Sequence, residues 1–182
     1  MNKHIPLYIY GSTIIFSGFF LLFSDNSMFD VIKFNMGIAF IFGAFFAFLT
    51  GLARQRKQVQ FAYHEMHAVA MIVYAIAMLF FCNSFETMIS YTTFLLFFYT
   101  FSEIIFCYWL FNLLEKVVFK VLAIRFLLGF AVGIGSIAAM NYTKYALHIF
   151  GVVFILVGIN VLYYVPIMKT SRSFENSNQV LM

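Results

Sequence analysis

Six long apolar runs alternate with short polar breaks along the chain. The runs are Ile5 to Phe23, Val31 to Ala53, Phe61 to Cys82, Thr87 to Leu114, Val117 to Met140 and Tyr145 to Met168. An apolar helix of about 20 residues crosses the roughly 30 Å of hydrocarbon in a bilayer. The pattern therefore predicts an all-α integral membrane domain of six transmembrane helices over residues 1–168, followed by a polar cytoplasmic tail over residues 169–182.

The polar breaks predict how the six helices are paired. Three of the breaks, at Ser24, Asn83 and Asn141, recur at a spacing of about 60 residues, which is typical of an internal duplication. Breaks of a few residues also leave consecutive helices antiparallel. We therefore expect three antiparallel hairpin repeats, spanning about 5–53, 61–114 and 117–168.

Small residues recur seven positions apart in four of the runs. The pairs are Gly11 and Gly18, Gly37 and Ala44, Thr93 and Thr100, and Gly151 and Gly158; shorter stripes lie at Ala39, Gly43, Ala47 and Gly51, and at Gly129 and Gly133. Residues at this spacing share a helix face, where small side chains let two backbones approach closely. They predict tight helix contacts within the chain or between copies in a homo-oligomer, although glycine and alanine are also simply common in membrane helices. The middle pair of runs contains no glycine.

Composition supports the membrane class and excludes one partner. Hydrophobic residues make up 64% of the chain and charged residues only 10%, whereas a soluble domain carries about 25% charge. The net charge of +4 does not indicate nucleic-acid binding, because the basic residues fall between the apolar runs and form no basic face. The expected partner is membrane lipid.

The basic residues also predict the orientation. With six spans, one face collects Lys3, Arg54, Arg56, Lys57, Lys116, Lys120, Arg125, Lys169 and Arg172, and the other only Lys33 and Lys144. Lys and Arg are retained on the cytoplasmic side, so both termini are predicted to be cytoplasmic in a multi-pass protein of the cell (inner) membrane. Aromatic residues are predicted to form a belt at the inner interface. These are Tyr8, Tyr10, Tyr63, Tyr108, Trp109, Tyr163 and Tyr164.

The glycine-bearing segments GIAFIFGAF and GVVFILVGIN each belong to the second helix of a predicted hairpin. In this respect the chain resembles the HdeD-like family of small bacterial inner-membrane proteins, which carry three such repeats in six helices. The resemblance covers most of the chain and rests on glycine placement. It implies a role in acid or envelope stress, with no family catalytic residues to assign.

Glu103 is the one acidic residue predicted to lie deep in the membrane. A charged group at that depth costs about 2.5–3.5 kcal/mol on insertion scales, so it usually faces the bundle and has a partner. Arg125 on the fifth span and Asn160 on the sixth lie at similar depths. One hypothesis is a protonatable site on an ion or proton path, and the alternative is a structural pair of Glu103 with Arg125 or Asn160 that fixes helix packing.

His64 and His67 are weak metal candidates on one face of the third span. Zinc motifs of the HExxH type place histidines four residues apart, whereas these are three apart, and Glu65 directly follows the first. A third ligand is also needed, and His4 is the histidine that could lie near. The favoured interpretation is therefore a solvated start of the helix at the membrane interface, with no metal and no cofactor.

Arg54, Arg56 and Lys57 form a basic run after the second span. Such a run can bind anionic lipid head groups, at about 1 kcal/mol per basic residue. The alternative is that it only sets the topology.

No phosphate-binding loop, nucleophilic serine elbow or paired cysteine site occurs in the sequence. We therefore expect a non-enzymatic membrane protein, HdeD-like and active in acid or envelope stress. The alternative is a small transporter or proton-linked channel that uses Glu103.

Overall fold

The computed structural model describes residues 5–54, 63–113 and 119–164, and this part of the chain is helical without a strand. The helices are α1 (Ile5–Leu22), α2 (Phe29–Arg54), α3 (Tyr63–Ile76), α4 (Phe85–Leu113), α5 (Phe119–Asn141) and α6 (Ala146–Leu162). A π-helical turn, Ala77–Phe81, continues α3, and short 3-10 turns precede α2 and α6.

All six predicted spans are present as helices long and apolar enough to cross a membrane. Within the described residues, their ends agree with the predicted ends within two residues. The predicted ends at Phe61, Leu114, Val117 and Met168 lie outside the described residues, as does the tail over residues 169–182. The membrane class inferred from hydropathy is therefore confirmed.

The outer surface of the bundle is apolar on all sides. Large side chains project from it, among them Phe16 and Phe94, each 73% exposed, and Leu127, 65% exposed. A soluble protein rarely exposes contiguous apolar surface of this extent. Hydrocarbon is the medium in which such a surface is stable, so the chain is a multi-pass membrane protein.

The first and last helices, α1 and α6, pack against each other through glycines. A methyl group added at Gly18 would lie 2.6 Å from the carbonyl oxygen of Gly151, and one added at Gly158 would lie 2.7 Å from that of Gly11. The two helices run antiparallel with their backbones in contact. The face predicted from the seven-residue spacing is thus confirmed for these four glycines, and it closes the bundle.

Glycines also bring α5 onto α4, but α3 and α4 pack differently. Added methyl groups at Gly129 and Gly133 would lie 2.9 Å from Glu103 Cγ and 3.1 Å from Thr100 Cγ2. Consecutive helices are neighbours throughout the bundle, and among them α3 and α4 have the sparsest contact. The close α4–α5 contact matters most for the site, because it places the inward faces of these two helices side by side.

Candidate functional site

Glu103 and Arg125 form an ion pair in the interior of the bundle. Arg125 Nε lies 2.7 Å from Glu103 Oε1, and Arg125 Nη2 donates to Oε2 at 2.8 Å. Neither side chain has any exposed surface. The bidentate geometry is the one in which a guanidinium binds a carboxylate most strongly.

Two further groups complete the surroundings of the carboxylate. The Tyr63 hydroxyl donates to Glu103 Oε2, and Cys107 Sγ donates to Oε1 at 3.5 Å. The Tyr63 oxygen in turn accepts a hydrogen bond from Arg125 Nη2 at 2.9 Å. Each carboxylate oxygen therefore has two donors. A buried charge is tolerated when it is both paired and hydrogen-bonded in this way.

The guanidinium of Arg125 is enclosed by aromatic rings. Its Cζ atom lies 5.5 Å from the ring centre of Tyr63, 5.1 Å from that of Phe106 and 5.4 Å from that of Tyr164. Cation–π attraction is strengthened by the absence of water. Arg125 Nη1 has no hydrogen-bond partner within the described residues, so the aromatic rings are its main surroundings.

The local sequence explains why the pair can form. Gly129 lies one turn after Arg125 on α5, and the side chain of Glu103 occupies the space that a larger residue there would fill. Cys107 lies one turn after Glu103 on α4, on the same face. Helical spacing thus places Cys107 beside the carboxylate of Glu103. Gly129 lets α4 and α5 approach closely enough for the ion pair to form.

Asn160, the other predicted partner, hydrogen-bonds to Tyr99 and not to Glu103. Its Nδ2 donates to the Tyr99 hydroxyl at 2.6 Å, and Tyr99 lies one helical turn before Glu103 on α4. Asn160 Oδ1 has no partner in the described parts of the chain. Asn160 and Tyr99 therefore form a separate polar contact, about one helical turn from the ion pair.

The prediction of a solvated helix start at His64 and His67 is wrong. Both side chains are buried, 1% and 3% exposed, because this face of α3 is directed into the bundle. The His64 ring meets the Tyr164 ring edge-on at 4.6 Å between centres. His67 Nε2 lies 2.6 Å from Ser102 Oγ, and its Nδ1 lies 3.4 Å from the Tyr10 hydroxyl.

A donor and an acceptor can be assigned at each hydrogen bond of His67. Ser102 Oγ lies 2.8 Å from the Tyr99 carbonyl oxygen, which can only accept; for both contacts of Ser102 to be hydrogen bonds, His67 Nε2 must donate to Ser102 Oγ. With the ring proton on Nε2, Nδ1 accepts from the Tyr10 hydroxyl. This arrangement is the reverse of a nucleophile and its general base, because the serine proton does not point to the imidazole.

The predicted inner aromatic belt divides into two groups. Tyr8, Tyr108 and Tyr163 are exposed on the outer surface, as a belt requires, and Trp109 is half-buried. Tyr10, Tyr63 and Tyr164, each 1% exposed, lie inside the bundle beside the ion pair and the histidines. Their assignment to the belt is therefore wrong, since each one packs against a polar or charged group of the interior.

The remaining candidates are not assembled into a site. In the parts of the chain that the structure describes, no three His, Cys, Asp or Glu side chains come together in a way that could hold a metal ion. Arg56 and Lys57 lie outside the described residues, and so does the side chain of Arg54.

Comparison of the chain with protein-family models, with curated proteins and with solved structures found no match. The class of protein is therefore assigned from the fold and from the site. The chain is a multi-pass membrane protein of six apolar helices with a buried arginine–glutamate pair.

We expect Tyr63→Phe to lower the free energy of unfolding by about 1.5–3 kcal/mol. The variant removes one donor to a buried carboxylate while Arg125 still reaches both oxygens. The measurement is unfolding by sodium dodecyl sulfate in mixed micelles. Tyr8→Phe, at an exposed position of α1, is the matched control and should leave the midpoint unchanged. Equal midpoints for both variants would contradict the assigned hydrogen bond.

Proposed function

We propose that the chain is a non-enzymatic integral membrane protein that acts as a closed helical bundle and not through a path across the membrane. The observation that carries this proposal is the environment of Glu103, whose carboxylate is enclosed and paired with Arg125 and Tyr63. The interior cavity beside His67 and Tyr99 measures about 20 Å³. That volume holds roughly one water molecule, which is too little for an aqueous pathway.

The proposed biological role is resistance to acid or envelope stress, as the HdeD-like resemblance implies. A closed bundle supports this role because its carboxylate is held by an arginine away from either surface. The protein would then act through its own packing or through self-association. The glycines of α1 and α6 are occupied within the chain, and so are Gly43, Ala47 and Gly51 of α2, so self-association would use the exposed large apolar side chains of the outer surface.

The proposed topology has three antiparallel hairpins with both termini in the cytoplasm of a cell with an inner membrane. It rests on the distribution of lysine and arginine along the sequence. In this orientation Arg54, Arg56 and Lys57 lie on the cytoplasmic side. There they would contact anionic lipid head groups.

A small transporter or proton-linked channel is the second candidate, and one observation favours it. Tyr10, His67 and Ser102 form a hydrogen-bonded line through the interior, and Ser102 directly precedes Glu103 in α4. Lines of hydroxyl and imidazole groups carry protons in pumps and transporters. The two candidates differ in whether protons cross the membrane through the protein.

Proton flux into liposomes separates these candidates. With an imposed pH gradient and an internal pH-sensitive dye, we expect liposomes containing the wild-type protein to show the same flux as protein-free liposomes, because Glu103 is fully paired. Flux above that background, abolished by Glu103→Gln and kept by Glu86→Gln at an exposed position of the same helix, would contradict the closed-bundle proposal and favour the transporter.

A further inference from the structure

An apolar groove opens on the outer surface between α3 and α4. It has a volume of about 900 Å³. Its walls include Val69, Val73, Ala77, Tyr91, Phe94 and Phe98. Binding sites for small hydrophobic molecules have volumes of about 300–1,000 Å³ and are lined in the same way.

The sequence explains why the bundle opens at this position. All ten glycines of the chain lie in α1, α2, α5 and α6, where they let neighbouring backbones approach. Neither α3 nor α4 contains a glycine, and bulky side chains keep the two helices apart. The groove is therefore a consequence of the residues that form it, and it faces the hydrocarbon of the bilayer.

The groove reaches inward to the polar interior. Ala70, Leu95 and Phe98 line both the groove and the small cavity beside His67 and Tyr99. A molecule in the groove is thus one side chain away from the interior hydrogen bonds. Binding or release of a molecule in the groove would therefore change the packing around these hydrogen bonds.

The length of the groove matches that of an acyl chain in one leaflet. From Glu65 to Ala77 the groove follows α3 for about 18 Å, at about 1.5 Å per residue. One leaflet contributes about 15 Å of the hydrocarbon thickness.

The charge at the mouth of the groove indicates the head group. Glu65, in the first turn of α3, is the one charged residue among the described residues that line the groove. It has no ion-pair partner in the described parts of the chain. Its carboxyl group lies over Gly51 of α2, at the edge of the groove. A carboxylate at that position attracts a cationic group and repels an anionic one.

We propose that the groove between α3 and α4 binds one acyl chain of a phospholipid whose head group carries an ammonium, with the ammonium at Glu65. The site is distinct from the Glu103–Arg125 pair. Lipid binding in the groove does not depend on whether the bundle conducts protons.

Native mass spectrometry of the full-length protein tests this proposal. The protein is extracted from vesicles of equal phosphatidylethanolamine and phosphatidylglycerol content. The wild type should retain one phosphatidylethanolamine per chain, at about tenfold over phosphatidylglycerol, the ratio that one charged contact of about 1.4 kcal/mol supplies. Val73→Trp, at a 59% exposed position in the groove, should lose the lipid, while Val152→Phe, at a 50% exposed position of α6, should keep it.

Glu65→Gln should keep one lipid per chain and reduce the tenfold preference to about one, and its fold can be verified by its helical circular dichroism. Ala77→Phe, a second variant that narrows the groove, should behave as Val73→Trp does. Equal retention of the two lipids by the wild type would overturn the proposal. So would unchanged retention in both groove variants, or a dimer that cross-links between groove positions of two copies.

Discussion

Arg125→Leu is expected to lower the free energy of unfolding by about 3–5 kcal/mol. The variant leaves the fully buried carboxylate of Glu103 without its cation, and an uncompensated buried charge is costly. Tyr63 and Cys107 remain as donors, but neither carries a charge. The measurement is unfolding by sodium dodecyl sulfate in mixed micelles, with Lys120→Leu at an exposed position of the same helix as the control, for which little change is expected.

The double variant Glu103→Leu with Arg125→Leu separates pairing from simple loss of volume. Replacing both charges by apolar residues removes the unpaired carboxylate, and such replacements of buried pairs are often neutral or even stabilising. We therefore expect the double variant to be more stable than Arg125→Leu alone. Additive losses from the two single variants would show that the residues do not interact.

Gly18→Ala is expected to destabilise the protein by about 2–3 kcal/mol, the upper part of the range for overpacking. The added methyl group would lie 2.6 Å from the carbonyl oxygen of Gly151 and 2.9 Å from the backbone nitrogen of Ile155. Backbone atoms cannot turn aside as a flexible side chain can. The α1–α6 contact that closes the bundle must therefore open.

Gly43→Ala is the same chemical change at a position with space for it. Its nearest neighbour would be Met71 Sδ at 3.7 Å, an ordinary contact. Alanine at a compatible helical position stabilises the protein by about 0.4–1 kcal/mol, because it lowers the conformational entropy of the unfolded chain. Opposite signs for the two variants in mixed-micelle unfolding are expected. Equal effects would contradict the assigned α1–α6 interface.

The sequence was informative about the helices because hydropathy reports the medium directly. Runs of about 20 apolar residues must form helices in lipid, where each backbone group needs an internal hydrogen bond. The glycine spacing was equally informative for α1 and α6, since residues seven apart share a face whatever lies opposite. Spacing alone did not show that these two faces meet each other.

The ion pair could be predicted from the sequence as one of two alternatives, but the groups that surround it could not. A deep carboxylate requires a partner, and few polar residues lie at its depth, which reduced the choice to Arg125 or Asn160. Which of the two is the partner depends on one helical turn of depth, and a count of residues from the ends of helices is no more precise than that.

The three buried tyrosines were assigned to the interface because depth was counted and direction was not. Tyr10 directly precedes Gly11, whose face meets α6, and lies seven residues before the buried Ser17. Tyr63 lies one turn before His67 on one face of α3. The burial of Ser17 and His67, which the structure supplies, shows that both side chains point inward.

The central claim is that Glu103 and Arg125 form a direct ion pair inside a closed bundle. Solid-state NMR of the full-length protein in lipid bilayers, with ¹⁵N-labelled arginine and ¹³C-labelled glutamate, measures the transfer between Arg125 Nε and the Glu103 carboxyl carbon. We predict strong direct transfer, as the 2.7 Å contact between Nε and Oε1 requires, and its loss in Arg125→Leu. Absence of that transfer in the wild type, with the Glu103 carboxyl in exchange with water, would contradict the account.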